Sequence, residues 1–104
     1  MIWYRNLYVG ETARKRKHEI VWKVKHKAGM LGVYLISLSS NQENLLDIID
    51  SCMLIQPYYE KEDIFIVGIA CGYDEALELT TRIIETLYKK TGDFKIRQYL
   101  TNER

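Results

Sequence analysis

The sequence predicts a small α/β domain, and its apolar patterns are the main reason. Two apolar runs, "GVYLISL" and "IFIVGIA", do not alternate with polar residues, which is typical of strands covered on both faces. The segments after them carry apolar residues at helical spacing. Of the 104 residues, 47% are hydrophobic and 28% are charged, as is usual for one globular domain. We therefore predict a single domain over residues 1–104.

The elements are predicted in chain order as follows. A basic helix covers residues 12–28 and ends at Gly29, where a left-handed cap is expected. A strand follows at 33–39, and then a helix that begins with the capping box Ser40–Glu43 and continues through Met53. The second buried strand spans 64–70. Because short connections join strand, helix, strand and helix, the two strands are predicted to be parallel, with a right-handed crossover.

The last helix has the strongest pattern. Its predicted core stripe recurs at three and four residues, and Gly92 is predicted to close it. The stripe consists of Ala76, Leu77, Thr80, Ile83, Ile84, Leu87 and Tyr88. An edge strand is expected at residues 94–99, and residues 2–9 are expected to form either an edge strand or an arm that lies on the core.

Parallel strands would place the loops after them side by side, at the edge where open α/β sheets bind ligands. Asp74 and Glu75 follow in the first helical turn and oppose an anion there, and neither loop has a phosphate-binding glycine motif. Cys71 has no histidine near it in sequence to act as a base, and His18 and His26 lack metal-ligand spacing. We therefore predict no catalytic residue, no metal and no cofactor. A small-ligand site or enzyme at this rim is the third alternative, with candidates Ser39, Ser40, Asn41, Cys71, Gly72 and Tyr73.

Charge is divided unequally along the chain. The net charge is +1, but residues 1–31 contain eight lysines and arginines against Glu11 and Glu19, which leaves a net charge of −5 for the remainder. A basic helix is suited to phosphate backbones, although no helix-turn-helix, RRM or KH signature is present. Nucleic-acid binding is therefore the second hypothesis, with polyanion-binding candidates Arg14, Lys15, Arg16, Lys17, Lys23, Lys25 and Lys27.

The favoured hypothesis is a non-enzymatic protein that acts through protein–protein contacts and self-associates. Opposite charges would attract between subunits, or the basic helix would lie against the acidic helix 74–88 within one molecule. Eight tyrosines and two tryptophans also favour an interaction surface. The exposed aromatic residues are expected at 2–8 and 57–59.

The expected location is the cytoplasm. No apolar run approaches the roughly 20 residues that span a bilayer, the N-terminus lacks the order of a secretory signal, and the two cysteines have no disulfide-scaffold spacing. At "LYVGETARKRKHEIVWKVKHKAGMLGVYLISLSSNQENLLDII" and "IFIVGIACGYDEALELTTRIIETLYKKTGDFKIRQYL" the chain is similar to small bacterial proteins with no assigned function. The resemblance spans about residues 7–100 and leaves 1–6 as an N-terminal extension. It implies a bacterial cytoplasmic protein and brings no site residues.

Overall fold

The structure, a computed structural model, describes residues 2–26, 28–38, 45–55, 64–92 and 100. Within these residues lie four strands and two α-helices. Two 3₁₀ turns, Ala13–Arg16 and Ser51–Ile55, precede α1 and follow β3. The strands and helices are β1 (Ile2–Val9), α1 (Lys17–Lys25), β2 (Val33–Leu38), β3 (Leu46–Asp50), β4 (Phe65–Cys71) and α2 (Tyr73–Thr91).

The four strands form one mixed sheet in the order β1-β4-β2-β3. Strand β1 is parallel to β4, whereas β2 is antiparallel to both of its neighbours, β4 and β3. The two apolar runs occupy the two interior positions, and residues 65–70 of β4 are all buried. The predicted α/β class is confirmed, and of the two alternatives for residues 2–9 the structure has the edge strand.

The predicted parallel pairing of the two central strands is wrong. The strands are adjacent, with Leu35 opposite Ile69, but they run antiparallel. The parallel partner of β4 is β1 instead. The predicted βαβ unit therefore does not exist between 33 and 70.

The cause of this error is the segment that was predicted as a helix through Met53. Residues 46–50 form β3, and each of the five pairs with a residue of β2. The spacing of Leu46 and Ile49 fits a helix, but the segment is short and contains adjacent β-branched residues, which suit a strand. The predicted capping box at residues 40–43 and the predicted strand at 94–99 lie outside the described residues.

The two helices cover opposite faces of the sheet. On β2 and β4 neighbouring residues belong to different core clusters, as strand alternation requires. Ile36 and Val67 pack with Ile83 of α2, whereas Leu35 and Ile66 pack with Ile20 of α1. Helix α1 therefore does not pack against the helix at 74–88, contrary to the suggestion of a contact within one molecule, although Glu75 reaches Thr12 at the start of the predicted basic helix.

Helix α2 (Tyr73–Thr91) confirms the predicted last helix and its closure at Gly92. Gly92 has a φ of 75° and donates its N–H to Tyr88 O at 2.7 Å. The core stripe is shifted from the predicted one: Leu79 is buried, while Leu77 and Tyr88 are 45% and 44% exposed. Among the described helices, none combines the length and the apolar character needed to cross a membrane.

The N-terminal residues belong to the sheet. Residues 2–6, which the resemblance leaves outside, form the first part of β1, and Tyr4 is buried against Phe65 and Tyr8. Gly29 does not have the left-handed conformation predicted for it, because the described glycines with positive φ are Gly32, Gly72 and Gly92. Gly29 is instead a packing position, since a Cβ there would lie 2.8 Å from Cys52 Cα.

Candidate nucleic-acid interface

Packing against the sheet determines which side of the basic segment faces outward. Ala13, Ile20 and Val24 are buried in the cluster beneath α1. They belong to one side of the 3₁₀ turn and helix, at the spacing expected of a helix with one buried stripe. The lysines and arginines of residues 13–25 occupy the remaining surface.

A carboxylate of α2 fixes the start of the basic segment. Glu75 accepts the Cys71 N–H through Oε2 at 2.7 Å and the Thr12 N–H through Oε1 at 2.8 Å. Gly10 donates its N–H to Ile69 O at 2.9 Å, which continues the β1–β4 pairing to the same point. The Glu75 side chain therefore connects the ends of β1 and β4 and sets the position from which the basic turn begins.

The surroundings of Glu75 explain both a glycine and a shifted pKa. A Cβ on Gly10 would lie 2.7 Å from Glu75 Cδ, so a side chain at position 10 would displace the carboxylate. Burial raises the pKa of Glu75, but hydrogen bonds from Cys71, Thr12 and Ala13 outweigh it and lower the pKa below its ordinary value. The carboxylate is therefore held in its charged form.

The rim predicted from parallel central strands is not assembled in the way the prediction required. Val33, the first residue of β2, pairs with Cys71, the last residue of β4. The C-terminal end of β2, at Leu38, therefore lies at the opposite end of the strands from Cys71. Cys71, Gly72 and Tyr73 do lie at the β4–α2 junction, whereas Ser39, Ser40 and Asn41 are outside the described residues.

The strand end beside Cys71 belongs to β1, and Glu75 already occupies the Cys71 and Thr12 N–H groups there. Burial and the neighbouring Glu75 charge raise the pKa of the Cys71 thiol, which disfavours a reactive thiolate. The backbone N–H groups of Cys71 and Thr12, at the C-terminal ends of β4 and β1, are thus already hydrogen-bonded within the chain.

A cleft of about 160 Å³ lies between the end of β1 and the first turns of α2. It is acidic, although Arg82 forms an ion pair with Glu78 at 3.5 Å. Among the described residues, no group of three or more histidine, cysteine, aspartate or glutamate side chains is arranged to hold a metal ion. The cleft is lined by Gly10, Glu11, Asp74, Glu75, Glu78, Leu79 and Arg82.

The candidate cations fall into two groups. Glu19 pairs with Arg16 at 2.8 Å and with Lys23 at 3.6 Å. The other four described candidates are exposed and form no ion pair, although Lys25 Nζ lies 5.8 Å from the centre of the Trp3 ring. These four are Arg14, Lys15, Lys17 and Lys25; the remaining candidate, Lys27, lies outside the described residues.

Trp22 is the aromatic residue on this surface, and it was missed when exposed aromatics were expected at 2–8 and 57–59. Its side chain is 58% exposed. The His26 ring stacks on it at a centroid distance of 4.1 Å and an interplanar angle of 22°. Helical spacing was the available signal, because it places Trp22 away from the buried side of Ile20 and Val24. We call the exposed set Arg14, Lys15, Lys17, Trp22 and Lys25 the basic surface.

Comparisons of the chain with protein-family models, curated proteins and solved structures find no match. A function is therefore proposed from the exposure and the charge of the residues in the basic surface. The resemblance of residues 7–100 to small bacterial proteins stays a prediction.

Proposed function

We propose that the protein binds nucleic acid through the basic surface. The observation that carries the proposal is that Arg14, Lys15, Lys17 and Lys25 are exposed and have no carboxylate partner. Cations that a fold leaves unpaired and close together attract a polyanion, and phosphate contacts gain free energy from the release of counterions.

The placement of the acidic residues favours an external partner for these cations. Helix α2, which carries Asp74, Glu75 and Glu78, packs on the opposite face of the sheet. Glu75 reaches the start of the basic segment, but it accepts the backbone N–H groups of Thr12 and Cys71. Among the described residues, no carboxylate of α2 forms an ion pair with the basic surface. Glu19 pairs with Arg16 and Lys23 and leaves the other four cations unmatched.

The experiment is a salt titration of binding to short DNA and RNA of mixed sequence, with fluorescence anisotropy as the readout. Four phosphate contacts predict a slope of log K against log salt of about −3 for single strands. Lys15→Glu is expected to weaken binding and to make the slope shallower by about 0.7, the value for one phosphate contact on a single strand. Lys89→Glu makes the same charge change at an exposed residue of α2. It is the matched control and should have a smaller effect on binding.

Two results would contradict this function. One is the absence of binding at low salt to every nucleic acid tested. The other is an equal loss of affinity in Lys15→Glu and Lys89→Glu, since that would trace binding to net charge rather than to the basic surface.

A second candidate function is self-association, supported by a different observation. Tyr73 and Leu77 are 53% and 45% exposed and lie one turn apart on α2, next to Asp74 and Glu78. An acidic, partly apolar helix on one face and a basic surface on the other suit head-to-tail contact between copies of the chain. Light scattering should then show a mass that rises with concentration and falls with salt; a monomer at high micromolar concentration would count against it.

A further inference from the structure

Trp22 occupies the middle of the outward side of α1. The residues one turn before and one turn after it are His18 and His26, and both are exposed. Residues four apart lie above one another on a helix, so the three rings follow one line along α1. A tryptophan that is 58% exposed is unusual, because this side chain is normally mostly covered.

His26 fixes the orientation of the indole. The stacked ring covers one face of Trp22 at 4.1 Å, and His26 Nδ1 lies 2.7 Å from Trp22 O. With one face against His26 and more than half of its surface exposed, the indole presents its second face to solvent. A flat aromatic face that is held in place loses little side-chain freedom when another ring stacks on it.

The unpaired cations lie on both sides of this ring along the chain. Arg14, Lys15 and Lys17 precede Trp22, and Lys25 follows it within one turn. Helix α1 extends over about 13 Å, and the 3₁₀ turn before it adds at most about 8 Å. A surface of this length accommodates a few nucleotides, with phosphates toward its ends and a base over its centre.

We infer that the basic surface prefers single-stranded nucleic acid, with one base stacked on Trp22 and the adjacent phosphates on Arg14, Lys15 and Lys25. This inference rests on the proposed nucleic-acid binding. Bases in a duplex are stacked on one another, so their faces are closed to Trp22, whereas a single strand offers them. Stacking on aromatic side chains is the sequence-tolerant contact that single-strand binding proteins use.

The same residues make an anionic membrane a poorer fit. A helix that lies in a membrane surface needs an apolar side to insert. Of the aliphatic residues of α1 that would supply it, Ile20 and Val24 are fully or almost fully buried against the sheet, and Val21 is half-buried against the same cluster. Trp22 could insert a single ring into a membrane surface, but one ring is not the apolar side that such a helix needs.

The test uses the full chain and three probes: a mixed-sequence DNA strand, the duplex of that strand, and phosphatidylserine-containing vesicles. The Trp3→Phe variant leaves Trp22 as the remaining tryptophan of the two in the chain, so its fluorescence reports on stacking. We expect the single strand to bind more tightly than the duplex and to quench Trp22 emission. Trp22→Ala should weaken single-strand binding at least about fivefold without changing the salt slope.

Two control variants separate stacking from loss of structure. Trp22→Phe keeps an aromatic face and should recover most of the single-strand affinity that Trp22→Ala loses. Leu77→Ala removes an exposed apolar side chain from α2, on the other face of the sheet, and should bind like the unmodified protein. Circular dichroism and thermal unfolding of each variant establish that the fold is retained.

The outcomes that overturn the inference differ from those that overturn the proposed function. Equal binding of strand and duplex, with Trp22→Ala unchanged, would remove the inference and leave nucleic-acid binding by the cations standing. Binding of neither nucleic acid would remove both, and so would binding of the vesicles alone.

Discussion

Helix α2 and the basic surface lie on opposite faces of the same sheet, and their charges are arranged in opposite ways. Asp74 and Glu75 lie in the first turn of α2, and Lys89 and Lys90 lie in its last turn, so the charges at both ends complement the helix dipole. Glu75 also accepts backbone hydrogen bonds from residues outside the helix and at its entry. Charge in α2 is used to stabilise the fold.

Helix α1 has a less favourable arrangement. It contains nine residues, Arg16 precedes it without a capping hydrogen bond from its side chain, and Lys17 is its first residue. Cations at a helix N-terminus oppose the dipole, and Glu19 is the acidic residue that offsets them in the first turn. Departures from local stability rules are expected where a surface has a function. The contrast therefore favours α1 as the functional face and α2 as the structural one.

The contrast predicts unequal dependence of stability on the two helices. Ile83 of α2 and Ile20 of α1 are both fully buried, so the same substitution can be compared. Ile83→Ala should cost about 4 kcal/mol and Ile20→Ala about 2–3 kcal/mol, because a short helix can move to reduce the cavity more readily than a helix of 19 residues. Urea denaturation with a shared m-value measures the difference. An equal or larger loss at Ile20 would contradict the assignment of α2 as the structural helix.

A smaller effect on stability is expected from Glu75, the carboxylate of α2 that accepts the N–H groups of Thr12 and Cys71. Glu75→Gln should lower the free energy of unfolding by about 2 kcal/mol at neutral pH, since a charged acceptor of backbone N–H groups is lost. The pKa of Glu75 is lowered in the folded protein, so the folded state binds its proton less readily than the unfolded state. The stabilisation is therefore fully present above the ordinary value of 4.5 and is lost as the pH falls through the lowered pKa.

Denaturation of both proteins across acidic and neutral pH measures this prediction. The difference in free energy between the parent and Glu75→Gln should shrink as the pH falls. Glu85→Gln alters an exposed carboxylate of the same helix and serves as the control, with little expected change. A difference between parent and Glu75→Gln that stays constant with pH would show that the charge of Glu75 is not what matters.

The parts of this fold that were predicted correctly depend on local patterns. Helix α2 has a long apolar stripe and a terminal glycine, and β2 and β4 are continuous apolar runs. Strand β3 was missed because "LDIID" is too short for its period to decide between helix and strand, and its pairing with β2 is a tertiary contact. The direction of β2 relative to β4 followed from that element, so one local error changed the predicted topology.

The candidate site divides in the same way. The cations of the basic surface could be listed from the sequence because their charge is a property of the residues themselves. Their lack of partners could not, since it depends on α2 packing on the other face of the sheet. The contact between Glu75 and Thr12 spans 63 positions, and no local pattern reports it. Sequence placed Glu75 only at the start of a helix, where its charge meets the dipole.

The smallest expected effect tests the contrast most directly, because it predicts opposite changes in two properties. Lys17→Glu replaces a cation at the N-terminus of α1 with an anion. Its interaction with the helix dipole becomes favourable, and the free energy of unfolding should rise by about 0.5–1 kcal/mol. The same variant should bind single-stranded DNA more weakly, with a shallower salt dependence, because one phosphate contact is lost.

Thermal unfolding and anisotropy on the same samples measure the two changes. Lys89→Glu is the matched control. It places an anion at the C-terminus of α2, where the dipole disfavours it, so it should reduce stability slightly and leave most of the binding intact. If Lys17→Glu reduced stability as well as binding, the cation would be contributing to the fold, and the arrangement at the start of α1 would need no functional explanation. A gain in stability together with a loss of binding is the result that assigns Lys17 to the partner rather than to the helix.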